Sequence, residues 1–164
     1  MRKLAGGLLL IAIWAFSIGA TAVSPANVLV GTWVLDSFVD TVDGREPVYA
    51  YGTHPVGQFI FGGDGRFSIN IMRDPPVDDP ADQNPDPGDD NTPRWVLSYF
   101  GTYRYDPSGP RWIAHVLGGN IRSYLGTDQV RNFKIAGDVL TISGAYKTAD
   151  GRNATFTRVL HRVH

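Results

Sequence analysis

The sequence contains no cysteine, which excludes disulfides, thiolate metal sites and cysteine nucleophiles. The fold must therefore be stabilised by its packed core alone. Amphipathic helix patterns are also missing, because no convincing stretch repeats apolar residues every three to four positions. Glycine (19) and proline (11) are frequent, and together these features are typical of short strands joined by turns.

Clustered positive charge is absent as well. Apart from Arg2-Lys3, the Lys and Arg residues are scattered singly, and the net charge is −1, so nucleic acid is not expected as a partner. No serine lies in a Gly-x-Ser-x-Gly motif, and no glycine-rich phosphate loop opens a helix. The chain thus lacks the usual signals of a hydrolase or a nucleotide-binding enzyme, and the sequence predicts no cofactor.

One long apolar run is present, and it lies at the N-terminus. Met1-Arg2-Lys3 precede the apolar stretch Leu4–Ile18, and Ala20-Thr21-Ala22 has the small-residue pattern of a cleavage site. We expect residues 1–22 to be a signal peptide and residues 23–164 to form one periplasmic or secreted domain. No membrane span is then expected after cleavage, whereas the alternative is an uncleaved N-terminal anchor.

Residues 56–72 give the clearest structural signal in the chain. Two arms rich in β-branched and aromatic residues flank Gly62-Gly63-Asp64-Gly65, which predicts a hairpin. Similar alternating segments recur between turn residues. They predict eight strands, at residues 29–39, 56–61, 66–72, 95–105, 111–117, 127–135, 139–143 and 152–163. Short connections in chain order favour an antiparallel up-and-down barrel, with a sandwich as the competing arrangement.

Two connections are longer than the rest. Residues 45–55 are irregular, with Tyr49, Tyr51 and His54 among Gly and Pro, and they are interpreted as a loop able to fold over an opening. Residues 74–93 carry seven Asp and no basic residue, so this segment is predicted to be a flexible loop. Asp82, Asn84 and Asp86 match the first ligand positions of a calcium loop, but proline stands where the glycine and glutamate belong. No metal site is therefore assigned.

Several stretches together resemble the bacterial lipocalin-like domain proteins. They are Leu29–Trp33, Pro55–Gly57, Asp64–Ser68, Met72-Arg73, Phe100–Tyr103, His115-Val116 and Gly126–Phe133. The resemblance implies a calycin-type barrel of eight strands, although the Asp-rich loop departs from the family pattern. In lipocalins at large, the Trp of the Gly-x-Trp motif plugs the barrel base under a late Arg. Trp33 would be that tryptophan here, with Arg158 or Arg162 above it.

The direction in which the strand faces point decides what the barrel can bind. If the mixed polar and aromatic faces point inward, they form a small-molecule pocket. The candidate ligand-binding residues are then Ser68, Asn70, Met72, Tyr99, Tyr103, His115, Arg131 and Phe133. His115 joins this set on the family pattern, and Arg131 could grip a carboxylate or carbonyl. The alternative is a filled barrel with Phe67, Ile69 and Ile71 inside and Arg131 outside.

Three functions remain open from the sequence. The favoured one is an exported lipocalin-like protein that binds a small hydrophobic or amphipathic molecule, with no catalytic residue assigned. The second is an isomerase or cyclase on the same barrel, using His115, Arg131 and Tyr103 as acid, base and anion partners. The third is a non-catalytic interaction module of the cell envelope.

Overall fold

The computed structural model describes residues 28–75, 95–106 and 109–164. The expected signal peptide lies outside these residues. So does the Asp-rich loop, apart from Asp74 and Pro75, and with it the calcium pattern. Among the residues described, none of the helices has the length and apolar character needed to cross a membrane.

Eight antiparallel strands form one closed barrel in chain order, and β8 pairs back onto β1. The strands are β1 (Gly31–Val42), β2 (Val56–Phe61), β3 (Arg66–Met72), β4 (Val96–Asp106), β5 (Arg111–Gly119), β6 (Asp128–Ala136), β7 (Val139–Lys147) and β8 (Asn153–Arg162). A short 3-10 helix, Arg122–Tyr124, lies between β5 and β6. The predicted up-and-down barrel is confirmed, and the sandwich is excluded.

The β2–β3 hairpin forms for the reason its sequence suggests. Gly65 adopts a positive φ of 80°, which an L side chain rarely tolerates, and this turn closes with Gly62 N–H donating to Arg66 O at 2.7 Å. The Asp64 carboxylate accepts the Arg66 N–H at 3.1 Å, which adds a side-chain contact within the turn. The turn thereby fixes the register of the two strands.

One end of the barrel is plugged by Trp33, which is fully buried. Its indole N–H donates to Leu29 O at 2.8 Å, and the Arg162 guanidinium lies 4.0 Å from the ring centroid. Arg162 also donates to Val28 O and Val30 O at 2.7 and 2.6 Å. Of the two arginines considered, Arg162 is therefore the one that packs over the tryptophan. This end is called the closed end below.

A bulge in β1 changes which residues face inward. The pairing of β1 with β8 shifts register between Leu35 and Ser37. Before the shift Trp33 is buried, and after it Phe38 is buried, although strict alternation predicts opposite faces for these two. Strict alternation from Trp33 therefore gives the wrong faces beyond Leu35, because the bulge adds one residue on one side of the pair.

Strands β6 and β7 pair along only part of their length. Residues 132–136 pair with residues 139–143, while 128–131 and 144–147 are not paired with each other. Those two segments remain paired on their other sides, with β5 and β8. The two strands therefore diverge away from the closed end and leave a gap in the barrel wall, called the β6–β7 gap.

Candidate ligand-binding site

The interior away from the closed end holds two connected spaces. An inner chamber of about 120 Å³ opens toward a vestibule of about 830 Å³. The vestibule extends to the β6–β7 gap, where Val130 and Ala145 contribute to its walls from opposite strands. Six side chains line both spaces and define a throat between them: Phe38, Leu97, Tyr124, Arg131, Phe156 and Arg158.

The wall of the inner chamber beyond the throat is almost entirely apolar. Six further side chains line the chamber without reaching the vestibule: Phe59, Ile69, Ile71, Tyr99, Trp112 and Ile142. Among these six, only the Tyr99 hydroxyl and the Trp112 indole N–H are polar. The buried Trp112 Nε1 has no hydrogen-bond acceptor among the described residues. An unpaired buried donor of this kind costs free energy, so the chamber wall contains one unsatisfied polar group.

Arg158 is held in the throat by an ion pair. Its Nη1 donates to Asp40 Oδ1 at 2.6 Å and to Val39 O at 2.8 Å. The guanidinium carbon lies 3.2 Å from the Phe38 ring centroid, an arrangement that combines stacking with cation–π attraction. Burial lowers the pKa of Arg158, and the neighbouring Asp40 carboxylate opposes that shift. The positive charge of Arg158 is thus balanced by Asp40.

Arg131 is placed differently, because all of its contacts are neutral. Its guanidinium donates to Val130 O at 2.9 Å, Tyr124 Oη at 3.2 Å and Gln129 Oε1 at 3.3 Å. No carboxylate pairs with it in the part of the chain that the structure describes. The throat therefore contains two arginines, and a carboxylate balances the charge of only one of them, Arg158.

Tyr99 reaches the chamber from β4 and is 7% exposed. Burial raises the pKa of its phenol above 10.0, while the positive charges of Arg131 and Arg158 partly oppose the shift. The phenol is therefore neutral at physiological pH and keeps its proton as a hydrogen-bond donor.

The loop of residues 45–55 lies against the rim of the vestibule. Val48 and Asp40 exchange backbone hydrogen bonds of 2.7 and 3.0 Å. Tyr51 is buried and packs edge to face on Phe38, with the ring centroids 4.7 Å apart. Val48 and Tyr51 both line the vestibule, so the segment does cover part of the opening.

A family model described as a lipocalin-like domain matches residues 30–162. The chain belongs to the lipocalin-like domain family. No curated protein and no solved structure gives a significant match to it. For this lipocalin-like barrel, family membership supports a fold of the binding type and leaves the ligand to be argued from the site itself.

Four of the predicted site residues face the interior of the lipocalin-like barrel. Tyr99 and Arg131 line the inner chamber together. Phe133 is buried against Trp112, with centroids 5.5 Å apart, and belongs to the packed core. Tyr103 faces inward near the closed end, where its hydroxyl donates to Gly62 O at 3.0 Å. Neither Phe133 nor Tyr103 lines the two spaces.

Three predicted residues on β3 point the other way. Phe67, Ile69 and Ile71 are buried, so the alternate face of the strand is the outer one. That outer face carries Ser68, Asn70 and Met72, and their predicted place in the cavity is wrong. The reason is energetic, because turning the aliphatic and aromatic face inward removes far more apolar surface from water. Ser68 and Asn70 instead form an outer hydrogen-bonded row with Ser98.

His115 is also on the outer face, contrary to the prediction. Trp112, Ala114 and Val116 fill the inner face of β5, so His115 points outward and its Nδ1 lies 2.8 Å from Asp128 Oδ1. The catalytic grouping of His115 with Arg131 and Tyr103 is not formed, because the barrel wall separates the histidine from the interior.

The barrel combines features of the two alternatives, a pocket and a filled core. The inward face of β3 is the one expected for a filled core, yet Arg131 is inside and a cavity remains above the closed end.

Sequence reasoning missed Asp40, Arg158 and Trp112 as site residues. Alternation along β8 places Arg158 on the same face as the apolar Leu160, so the sequence does indicate that Arg158 points inward. The bulge in β1 hides Asp40, and nothing in the local pattern marks the unsatisfied Trp112.

Proposed function

We propose that this protein is exported and binds a small, largely apolar molecule that carries an acidic group. The observation that supports the proposal is Arg131, a cation without a carboxylate partner among the described residues, at the throat of an apolar chamber. A ligand carboxylate is the natural complement to it, because charge-assisted hydrogen bonds to guanidinium are stronger than neutral ones.

Affinity in such a site comes from two sources. Burial of the apolar part of the ligand contributes about 0.8 kcal/mol for each methylene removed from water. The contact with Arg131 adds orientation and selectivity, and its side chain is already held by Tyr124 and Gln129. A preorganised guanidinium loses little conformational entropy when an anion arrives.

Substitution of Arg131 tests the proposal with an anionic apolar probe, 1-anilinonaphthalene-8-sulfonate, followed by its fluorescence. We expect Arg131→Gln to weaken probe binding by about tenfold or more, since a hydrogen bond to a charged group is worth about 1.5–3 kcal/mol. The matched control is Lys134→Gln, which removes the same charge from the exposed face of the same strand. Equal affinities for the wild type and both variants would reject the role of Arg131.

Export is the second part of the proposal and rests on residues 1–22 alone. Basic residues, an apolar run and an Ala-x-Ala pattern are the features of a cleavable signal. Expression of the full chain in a bacterial host, followed by intact mass spectrometry of the periplasmic fraction, tests this. We expect a mature chain that starts near residue 23. Recovery of only the uncleaved chain in the cytoplasm contradicts export.

A further inference from the structure

The inner chamber and the vestibule differ sharply in size, at about 120 and 830 Å³. An apolar protein cavity of about 150 Å³ holds one benzene molecule. The chamber is therefore the right size for one ring or a comparably compact branched group. An extended alkyl chain or a fused ring system exceeds it.

The chamber cannot lengthen toward the closed end without disturbing the core. Phe61, on the side of the closed end, packs edge to face on Trp112 of the chamber wall, with centroids 5.3 Å apart, and both are almost fully buried. Ile69 and Ile142, in its walls, are equally buried. Displacing such side chains costs about 1–3 kcal/mol, so chamber size is a real limit on what enters.

The position of the charge supplies the second constraint. Arg131 lines both spaces, so it lies where a group in the chamber connects to whatever extends into the vestibule. A ligand that fills the chamber with its apolar end therefore brings its next few atoms to Arg131. An acidic group several bonds further along would pass the guanidinium and lie among the vestibule walls.

We propose that the site selects compact carboxylates in which a ring-sized apolar end is attached to the acidic group directly or through one methylene. Long-chain fatty acids and fused-ring acids are disfavoured. In the bound state the ring occupies the inner chamber, the carboxylate contacts Arg131 and any larger substituent near the acid extends into the vestibule. This inference rests on the proposed function and adds the class of ligand to it.

1-Anilinonaphthalene-8-sulfonate is too large for the chamber, so we expect it to bind in the wider vestibule with its sulfonate at Arg131. A series of carboxylates that compete for Arg131 tests the inference by displacement of this probe. Benzoate and phenylacetate are compared with heptanoate, which matches benzoate in carbon number, and with decanoate and naphthalene-2-carboxylate. We expect the single-ring acids to bind at least tenfold more tightly than heptanoate and naphthalene-2-carboxylate. Tighter binding of decanoate, or a flat series, overturns the inference.

Two substitutions of Ile142, which lines only the chamber, change its size in opposite directions. Ile142→Phe fills the chamber and should weaken benzoate binding at least tenfold while the fluorescent probe still binds. Ile142→Ala enlarges it and should shift the preference toward naphthalene-2-carboxylate. If Ile142→Phe does not fold, Ile142→Ala alone decides, and an unchanged preference in that variant overturns the inference.

The two proposals fail in distinguishable ways. Probe binding that depends on Arg131, combined with a carboxylate series showing no preference for one ring, leaves the proposed function standing and removes the ligand class. Probe binding that is absent, or unchanged in Arg131→Gln, removes both. Single-ring selectivity that is lost in Ile142→Phe and in Arg131→Gln supports both.

Discussion

At the scale of the residue, the buried phenol of Tyr99 links the cavity to a measurable pH dependence. Burial raises its pKa above 10.0, so the unfolded chain loses this proton at a lower pH than the folded chain does. The stability that comes from the raised pKa is fully present at pH values below 10.0, the ordinary pKa of a tyrosine phenol. It is lost as the pH rises through the folded pKa.

Substitution of Tyr99 by phenylalanine should therefore flatten the alkaline side of the stability curve. We expect Tyr99→Phe to cost about 1 kcal/mol at neutral pH, because the interaction of the hydroxyl with Arg131 is lost. The variant should lose less stability than the wild type above about pH 10. Urea unfolding at a series of pH values measures this. Some slope will remain, because burial also raises the pKa of Tyr103. An unchanged slope in Tyr99→Phe, matching an exposed control such as Tyr49→Phe, contradicts the assignment.

Also at this scale, local sequence pattern predicts side-chain direction only where one face is clearly more apolar. On β6, Arg131 and Phe133 share a face, and the structure has that face inside. On β5, apolar residues occupy both faces of the strand, so the sequence pattern does not tell which way His115 points. The pairing register then decides, and it buries Trp112 and Val116 on the opposite face.

At the scale of the element, the number and order of strands follow from turn residues and alternation, whereas irregularities do not. All eight strands were predictable, because glycine, proline and aspartate mark the turns between them. The β1 bulge was not, since one extra residue leaves no local signature and depends on how β8 pairs with β1. Its consequence lies in the candidate site, because Asp40 reaches Arg158 only after the shift.

The β6–β7 gap should be detectable by hydrogen–deuterium exchange of the backbone amides. Gap-facing amides of residues 128–131, Gly144, Ala145 and Lys147 lie outside the β6–β7 register, unlike those of 132–136 and 139–143. We expect the gap-facing amides of the ligand-free protein to exchange with solvent deuterium at least about tenfold faster, measured by NMR. Amides of the same segments that pair with β5 or β8 serve as the internal reference. Uniform protection across β6 and β7 would mean that the strands are paired in solution.

At the scale of the whole molecule, the stabilising plug and the proposed binding site lie at opposite ends of the barrel. The closed end is built from Trp33 and Arg162, whose contacts are internal and satisfied. The throat contains Arg131, whose charge is not balanced by any described carboxylate. Its cross-strand neighbour Trp112 has an indole N–H without an acceptor among the described residues. Natural proteins commonly concentrate such costs at functional sites and compensate for them elsewhere in the fold.

This division predicts opposite effects for two arginine substitutions. Arg162→Ala should lower the free energy of unfolding by about 2–3 kcal/mol, because it removes two hydrogen bonds from a charged donor and a cation–π contact. It should change probe affinity less than about twofold. Arg131→Gln should do the reverse, with a loss of about tenfold in affinity and less than about 1 kcal/mol in stability. Urea unfolding and probe titration measure the two quantities on the same samples.

The double variant then tests whether the two ends are independent. Arg162 and Arg131 share no hydrogen-bond partner among the described residues, so the effects of the two substitutions should add. Arg162→Ala with Arg131→Gln is expected to combine the stability loss of the first with the affinity loss of the second. If Arg162→Ala alone weakens probe binding as much as Arg131→Gln does, the two ends of the barrel are coupled. The throat would then depend on the plug at the closed end for its shape.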